Sequence, residues 1–508
     1  MIVNKNSELV IGIVHTVGTN ASDTIDCIKD SLRGFRYSSE VIKVSRDILK
    51  QFSTEKAQEF GNEFSRISYY MDLGNRIRCQ TRDDAILMKG VAAYIYERYH
   101  AEDDAPQDRK AYIIDSIKHP DEVDFLRKTY GDGFHLIGIS DDYEKRKIFL
   151  TRRKNLSEEQ AEELLKRDDN EEAKNGQHTR DAYQQADYFI NASDKRMETQ
   201  ESIFRLFELL FGNAFISPTF EEYAMFRAYV ASLRSADLSR QIGAVIAKGQ
   251  EIIAEGVNDC PRAFGGLYWP MYDGSGKVID EEDGRDYMLG YDSNKIEQKK
   301  IIKRILKNLE LEENEENYRK VKIAGIGTLT EYGRVVHSEM EALMMCARNH
   351  VSTRGCDMYV TTFPCHNCAK HIISAGIRKV IYIEPYPKSK ALEFYKKEIS
   401  QLNEDYEKKV IFLPFKGVGP HRFIDLFAMQ SIKWYTRIRK NAEGKVIPWE
   451  REKANLRNPM STLSYIEIEK AAYKQYWDEI EGSRLDESDE QRSKHISESY
   501  KLGEERDI

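Results

Sequence analysis

The chain has 508 residues, 41% of them hydrophobic, enough for two or three domains that each bury a core. A formal net charge of −8 argues against a broad basic groove for nucleic acid, because binding along a phosphate backbone relies on clustered Lys and Arg; a small nucleotide needs only a local basic pocket. Seven cysteines suit a reducing compartment better than a disulfide framework, and neither a signal peptide in the first 14 residues nor an apolar run of about 18 residues is present. A cytoplasmic protein with no membrane partner is the expectation.

Residues 9–14 read as a strand, followed by the loop His15-Thr16-Val17-Gly18-Thr19-Asn20-Ala21-Ser22 and a helical pattern ending near Gly34. Strand, loop and helix form the context of a P-loop. Against G-x-x-x-x-G-K-[ST], the first Gly is His15, the second is Asn20 and the Lys is Ala21; Ser22 keeps its place and Gly18 falls inside the loop. Without the lysine, phosphoryl transfer is doubtful, although helix N-terminal amides still cradle anions. Nucleotide binding and a vestigial loop with no ligand are equally supported.

More strand-like runs follow at 40–44, 111–115, 134–139 and 187–190, with helix-length segments between them, which predicts a parallel sheet covered by helices. Asp115 ends its strand where a magnesium-orienting carboxylate would stand, or where an ordinary capping Asp would. The basic cluster Arg146, Lys147, Arg152, Arg153 and Lys154 is either a phosphate-facing lid or a solvated helix face. The apolar run 203–211, Gly212 and Pro218 place a domain boundary near residue 215.

A helix over 221–235 leads into Arg234-Ser235-Ala236-Asp237-Leu238-Ser239-Arg240-Gln241 and a hairpin, with strands 242–247 and 252–257 joined across Lys248-Gly249-Gln250. Asn258 then stands where a strand end meets a pocket. Residues 260–336 are long for a connection: Gly265-Gly266, Tyr268 and Trp269 are placed to fold over a site, and Ile302, Ile305, Leu306 and Leu309 indicate a helix. Such a segment is a functional lid or a disordered insertion.

The densest chemistry runs from His337-Ser338-Glu339 to Pro364-Cys365-His366-Asn367-Cys368. This is the H-x-E…P-C-x-x-C pattern of zinc-dependent nucleobase deaminases. A catalytic zinc takes three protein ligands and keeps one position open, and His337, Cys365 and Cys368 supply an imidazole and two thiolates. Glu339, two residues from a ligand, is a general acid/base rather than a ligand, ferrying protons from water to the ring nitrogen and then to departing ammonia. Met340, Leu343, Met344 and Ala347 recur as one helix face, so His337 and Glu339 fall on that helix's first turn, and residues 369–375 form a second helix with Gly376 as its cap. A structural zinc site would close the tetrahedron with a fourth ligand, for which Cys260, Cys346, Cys356, His366 and His371 are the available side chains.

A strand at 380–383, a helix after Pro385-Tyr386-Pro387-Lys388-Ser389-Lys390 and a strand at 410–413 follow. Gly419-Pro420-His421-Arg422 reads as a loop near a ligand. Beyond about 430 the chain is a polar extension, with a helix over 463–480 and an acidic tail from Asp478 expected to be mobile.

At Arg234–Gln241, Gly256-Val257-Asn258, His337–Glu339, Gly355–Val360 and Thr361–Cys368, the chain resembles deoxycytidylate deaminases over about residues 221–425. Ser338 stands where that family commonly has Ala. The resemblance implies hydrolytic deamination of a deoxycytidine nucleotide, with Asn258 contacting the sugar and Arg234 the phosphate. The whole chain resembles the bacterial anti-phage deoxycytidine nucleotide deaminases, which fuse a degenerate P-loop kinase-like domain to a deaminase domain. Met71–Arg78, Ile113–Val123, Arg167-Asp168 and Gly176-Gln177-His178-Thr179 carry that likeness.

What it implies is an α/β protein: a P-loop kinase-like parallel sheet flanked by helices over 1–215, regulatory in role; a cytidine-deaminase-like α/β/α sandwich over 216–430; and the extension 431–508. The implied substrates are dCTP and dCMP, depleted during phage infection. Zn2+ is the implied cofactor, with a nucleotide and Mg2+ at Gly18, Ser22 and Asp115. A homo-oligomer and a small inhibitory RNA are the implied partners. The alternatives are a housekeeping dCMP deaminase for thymidylate synthesis, an enzyme acting on polymeric nucleic acid, and a nucleotide- or RNA-binding regulator with a structural zinc.

Overall fold

The computed structural model describes residues 6–52, 60–169, 177–386, 389–430, 437–460 and 464–484. They fall into two compact units, Met1–Pro218 with Lys416–Ile508, and Thr219–Phe415.

In the first unit, β1 (Leu9–His15), β2 (Ser38–Lys43), β3 (Lys110–Ile117), β4 (Phe134–Ser140) and β5 (Tyr188–Asn191) form a parallel sheet in the order β2-β3-β1-β4-β5. β1 lies at its centre and is buried along its length except at His15, as a strand covered on both faces must be, which is why it reads as an unbroken apolar run. α1 (Ser22–Gly34) packs in the core beneath the sheet, while α2 (Glu63–Thr81) and α3 (Glu158–Asp169) share a separate apolar cluster through Met71, Leu164 and Leu165. α1 buries Ile25, Ile28 and Leu32 in the same core as Ile203, Leu206 and Leu210. The β1–β3 register slips after Ile13, leaving Ser116 as an extra residue at φ 82° next to Asp115.

The chain returns to this unit at Lys416, a correction to the expected division at 430. Gly417–Val418 adds an antiparallel strand to β5, so Gly419–Arg422 is a strand end and helix start at this sheet's edge rather than a loop at a ligand. The extension is tied in by charged side chains that a polarity reading puts at the surface. Arg422 is buried and donates to the Phe134 carbonyl, while Arg457 is 1% exposed and donates to the carbonyls of Leu426 and Ala428. In the helix Ser464–Arg484, Glu469 is fully buried, its Oε2 2.5 Å from His100 Nδ1, and His100 Nε2 is 3.1 Å from Glu8. Buried ions persist only when paired in this way. Of the acidic tail expected from Asp478, residues 478–484 continue this helix, and 485–508 lie outside the described residues.

The second unit contains α4 (Phe220–Ser232), β6 (Gly243–Lys248), β7 (Glu251–Val257), β8 (Met271–Tyr272), β9 (Val278–Ile279), α5 (Ser293–Asn308), α6 (Ser338–Arg348), β10 (Asp357–Thr362), α7 (His366–Ser374), β11 (Lys379–Glu384), β12 (Ile399–Ser400) and β13 (Val410–Pro414). The sheet order is β7-β6-β10-β11-β13-β12, antiparallel at β7-β6-β10 and parallel beyond. Two glycines set the layers. A Cβ on Gly243 would lie 1.9 Å from the Ala228 carbonyl of α4, and one on Gly256 would lie 2.0 Å from the Ser338 carbonyl of α6. Gly256 pairs with Ala244, so Gly243 and Gly256 face opposite sides, and α4 and α6 sandwich the sheet.

The stretch 260–336 is structured. Asp259 and Val336 bridge its base, β8 and β9 form a hairpin, and α5 buries Ile302 and Leu306. Leu309, expected on that face, follows the helix end and is exposed.

Candidate active site

His337 and Cys365 are the N-cap residues of α6 and α7, so both ligand sets stand at helix N-termini. Cys365 Sγ accepts the Cys368 N–H at 3.4 Å, satisfying one of the amides that a helix start leaves unpaired. His337 Nδ1 lies 3.5 Å from Cys365 Sγ and 3.3 Å from Cys368 Sγ, and the three ligand atoms are within 4.8 Å of one another. A tetrahedral zinc with ordinary bond lengths sets such N···S separations at about 3.5 Å, so the donor set fits that ion. Among the described residues, none of Cys260, Cys346, Cys356, His366 or His371 joins this group. The Cys365 thiol is drawn down to about 4, chiefly by the hydrogen bond from the Cys368 thiol and then by His337.

Glu339 is 4% exposed and accepts from Ser338 Oγ at 3.1 Å. Its carboxyl is pushed above the usual range by burial, and it contacts the Cys368 thiol. The inward face of α6 keeps Met340 and Leu343 of the expected stripe but not Met344 or Ala347. Ser338, Glu339, Ala342, Leu343 and Cys346 are buried, whereas Met344 is 42% exposed. The helix is turned because the polar Glu339 belongs inside and because Ala342 is small enough to approach Gly256.

Asn258 is 5% exposed; its Oδ1 accepts from Ile242 N–H and its Nδ2 donates to the Arg240 carbonyl, both at 2.7 Å, so it anchors the segment leading into β6. Arg234 stacks on Trp269 at 3.6 Å and donates to the Tyr268 carbonyl at 2.7 Å, and Arg285 donates to the same oxygen. Two guanidiniums therefore hold the Tyr268-Trp269 segment in place. Sequence reasoning missed Glu384, which accepts from Arg240 at 2.7 Å and Thr362 at 2.9 Å, and Tyr386, whose hydroxyl is raised by burial and then by Cys365. Glu384 ends β11, and the carboxyl ends of parallel strands are where open α/β sheets receive ligands, a signal present in the sequence.

The sites expected in the first unit are arranged differently. Gly18 takes φ 84° with its open side against Arg146, Ser22 begins α1, and Asp115 pairs with His15 at 3.3 Å. Burial pushes the Asp115 carboxyl up, but His15 outweighs it and holds it low. The Val17 N–H donates to the Asp168 carboxylate at 2.7 Å, where a phosphate oxygen would lie in a P-loop. With Ala21 in the lysine position and that amide taken, the loop as it stands does not fit a nucleotide with Mg2+. Asp84, His119 and Asp121 also cluster, but His119 Nδ1 accepts the Asp121 N–H, leaving the proton on Nε2, which faces Asp84 and so lacks a free lone pair for a metal.

No helix among the described residues is long and apolar enough to cross a membrane. Residues 218–384 match the family model of the cytidine and deoxycytidylate deaminase zinc-binding region. The deoxycytidylate deaminase of Enterobacteria phage T2 is 30% identical over 163 residues, 32% of this chain and 79% of that protein. The Homo sapiens deoxycytidylate deaminase is 48% identical over 54 residues, 11% of this chain and 29% of that one. Among solved structures, the apo dCMP deaminase of cyanophage S-TIM5 is 18% identical, covering 39% of this chain and all of that one, with a TM-score of 0.22. With that extent of identity to the phage T2 enzyme and the ligand triad in place, the chain belongs to the cytidine and deoxycytidylate deaminase family.

Proposed function

We propose that this protein hydrolyses the amino group of a deoxycytidine nucleotide, dCMP or dCTP, giving dUMP or dUTP and ammonia. The observation that carries this reading is the convergence of His337, Cys365 and Cys368 on one point, beside the buried carboxylate of Glu339, which is not one of the ligands. Zinc held there supplies the Lewis acidity that activates water near neutral pH. Glu339 takes a proton from the attacking water, gives it to the ring nitrogen, and returns a proton to the leaving amine; its burial keeps bulk water from competing. Ser338 Oγ orients that carboxylate.

Asn258 contacts the sugar in this proposal, since its two backbone bonds leave one amide hydrogen and one lone pair for a hydroxyl. Arg234, whose Nε has no hydrogen-bond partner among the described residues, contacts the phosphate in this proposal. The protein acts in the cytoplasm as a homo-oligomer, depleting deoxycytidine nucleotides during phage infection under control of a small RNA, as the resemblance implies. Purified protein incubated with dCMP, dCTP, CMP and a single-stranded oligonucleotide should release ammonia and uracil product from the deoxynucleotides. Product from the oligonucleotide alone overturns the reading.

A further inference from the structure

The loop between β1 and α1 meets groups from three other segments. Val17 N–H donates to Asp168 Oδ2 at 2.7 Å, and the Val17 carbonyl accepts from Arg146 Nε at 2.8 Å. Lys118 Nζ donates to the His15 carbonyl at 2.6 Å and lies 3.5 Å from Asp168 Oδ1; Arg146 Nη2 lies 3.8 Å from Asp168 Oδ2. The Asp168 carboxylate is fully buried, and its Oδ1 has no hydrogen bond among the described residues. An amide, a lysine and an arginine around one oxygen pair are the recognition groups for a phosphoryl group. Here the charge they hold comes from the end of α3, which Arg167 also fastens to Asp72 on α2 at 2.6 Å.

We infer that the first unit contains a complete phosphoryl-binding cradle, built from Val17, Lys118 and Arg146 and occupied by the chain's own Asp168. The β1–α1 crevice is central in the sheet, between β1 and β4, where the connections run off in opposite directions, the place at which open α/β sheets bind ligands. α3 is thus a tethered plug. A phosphorylated ligand enters only as Asp168 leaves, and its binding is coupled to release of the α3 end from Lys118 and Arg146. This inference is independent of the deaminase site.

The test is isothermal titration of the full-length protein with inorganic phosphate and, separately, with ATP. The Asp168→Ala chain should bind phosphate at least tenfold more tightly than the unaltered chain, and adding Arg146→Ala should abolish the gain. Asp168→Asn, which keeps the side chain's size and removes its charge, should show the same direction and serves if the alanine variant does not fold. Tighter binding of ATP than of phosphate identifies a nucleotide as the ligand source; equal binding identifies the free anion. If the unaltered chain binds as tightly as both variants, or neither variant gains affinity, the cradle is not self-occupied and the inference fails.

Discussion

Gly256→Ala tests whether the close seating of α6 on β7 sets the catalytic geometry. The added methyl would lie 2.0 Å from the Ser338 carbonyl oxygen and 2.5 Å from the Ala342 nitrogen, both backbone atoms that cannot rotate away. Restoring ordinary contact requires α6 to move by about 1.4 Å, and α6 carries Glu339 and begins at His337, so the carboxylate moves with it. Misplacement by ~1 Å costs ~100-fold in rate, and overpacking costs about 1–3 kcal/mol in stability. We expect kcat to fall by about 100-fold with the fold retained. Gly249→Ala is the control: Gly249 lies in the β6–β7 turn at φ 63° with nothing near its open side, so the strain stays local and kcat should hold. Steady-state kinetics with metal analysis decide the matter. A Gly256→Ala enzyme with more than a third of the original kcat would show that α6 has slack at this contact and refute the reasoning.

Glu339→Gln should keep its zinc and lose about 100- to 10,000-fold in kcat, the range for a lost general acid/base; a variant within tenfold of the parent rules the role out. Cys365→Ser or Cys368→Ser should strip the metal, measured by elemental analysis after dialysis, and a variant retaining about one zinc per chain would mean that the triad is not the binding site. The His100 cluster should make the first unit's stability depend on pH. Burial pushes the imidazole down, but hydrogen bonds to Glu469 and Glu8 outweigh it and lift it to about 9. A raised folded pKa contributes fully below the unfolded value of 6.5 and is lost as the pH rises through 9, about 3 kcal/mol in all. The unfolding midpoint should drop over that window and stay flat in His100→Gln; equal slopes would exclude His100 as the cause.

Most strands of both sheets were legible as short apolar runs, unbroken in β1 and bounded by turn residues at Lys248-Gly249-Gln250, whereas the two-residue strands Ile399–Ser400 and Gly417–Val418 are too short to carry a pattern. The ligand triad was legible because metal coordination demands particular residue types at a particular spacing. The rotation of α6 was not, since periodicity counts apolar residues and gives Glu339 no inward weight, whereas the active site requires that carboxylate inside. The return of residues 416–484 to the first unit was hidden for a related reason. Glu469, Arg457 and Arg422 read as surface charge, and nothing in the local sequence announces partners such as His100, 369 positions from Glu469.

The same limit explains the β1–α1 loop. A motif comparison sees a loop with Ala21 in the lysine position and leaves nucleotide binding and a vestigial loop equally supported, because it compares only residues adjacent in sequence. The structure supplies cations from elsewhere, Lys118 after β3 and Arg146 after β4, and supplies an anion as well, Asp168 from the end of α3. The crevice is therefore charged although position 21 is Ala. Two positive groups held at 13% and 7% side-chain exposure would be costly to keep there without a counter-charge, so a carboxylate or a phosphoryl group must accompany them. Removing Asp168 should expose that requirement, and a chain that tolerates its removal without binding any anion would refute it.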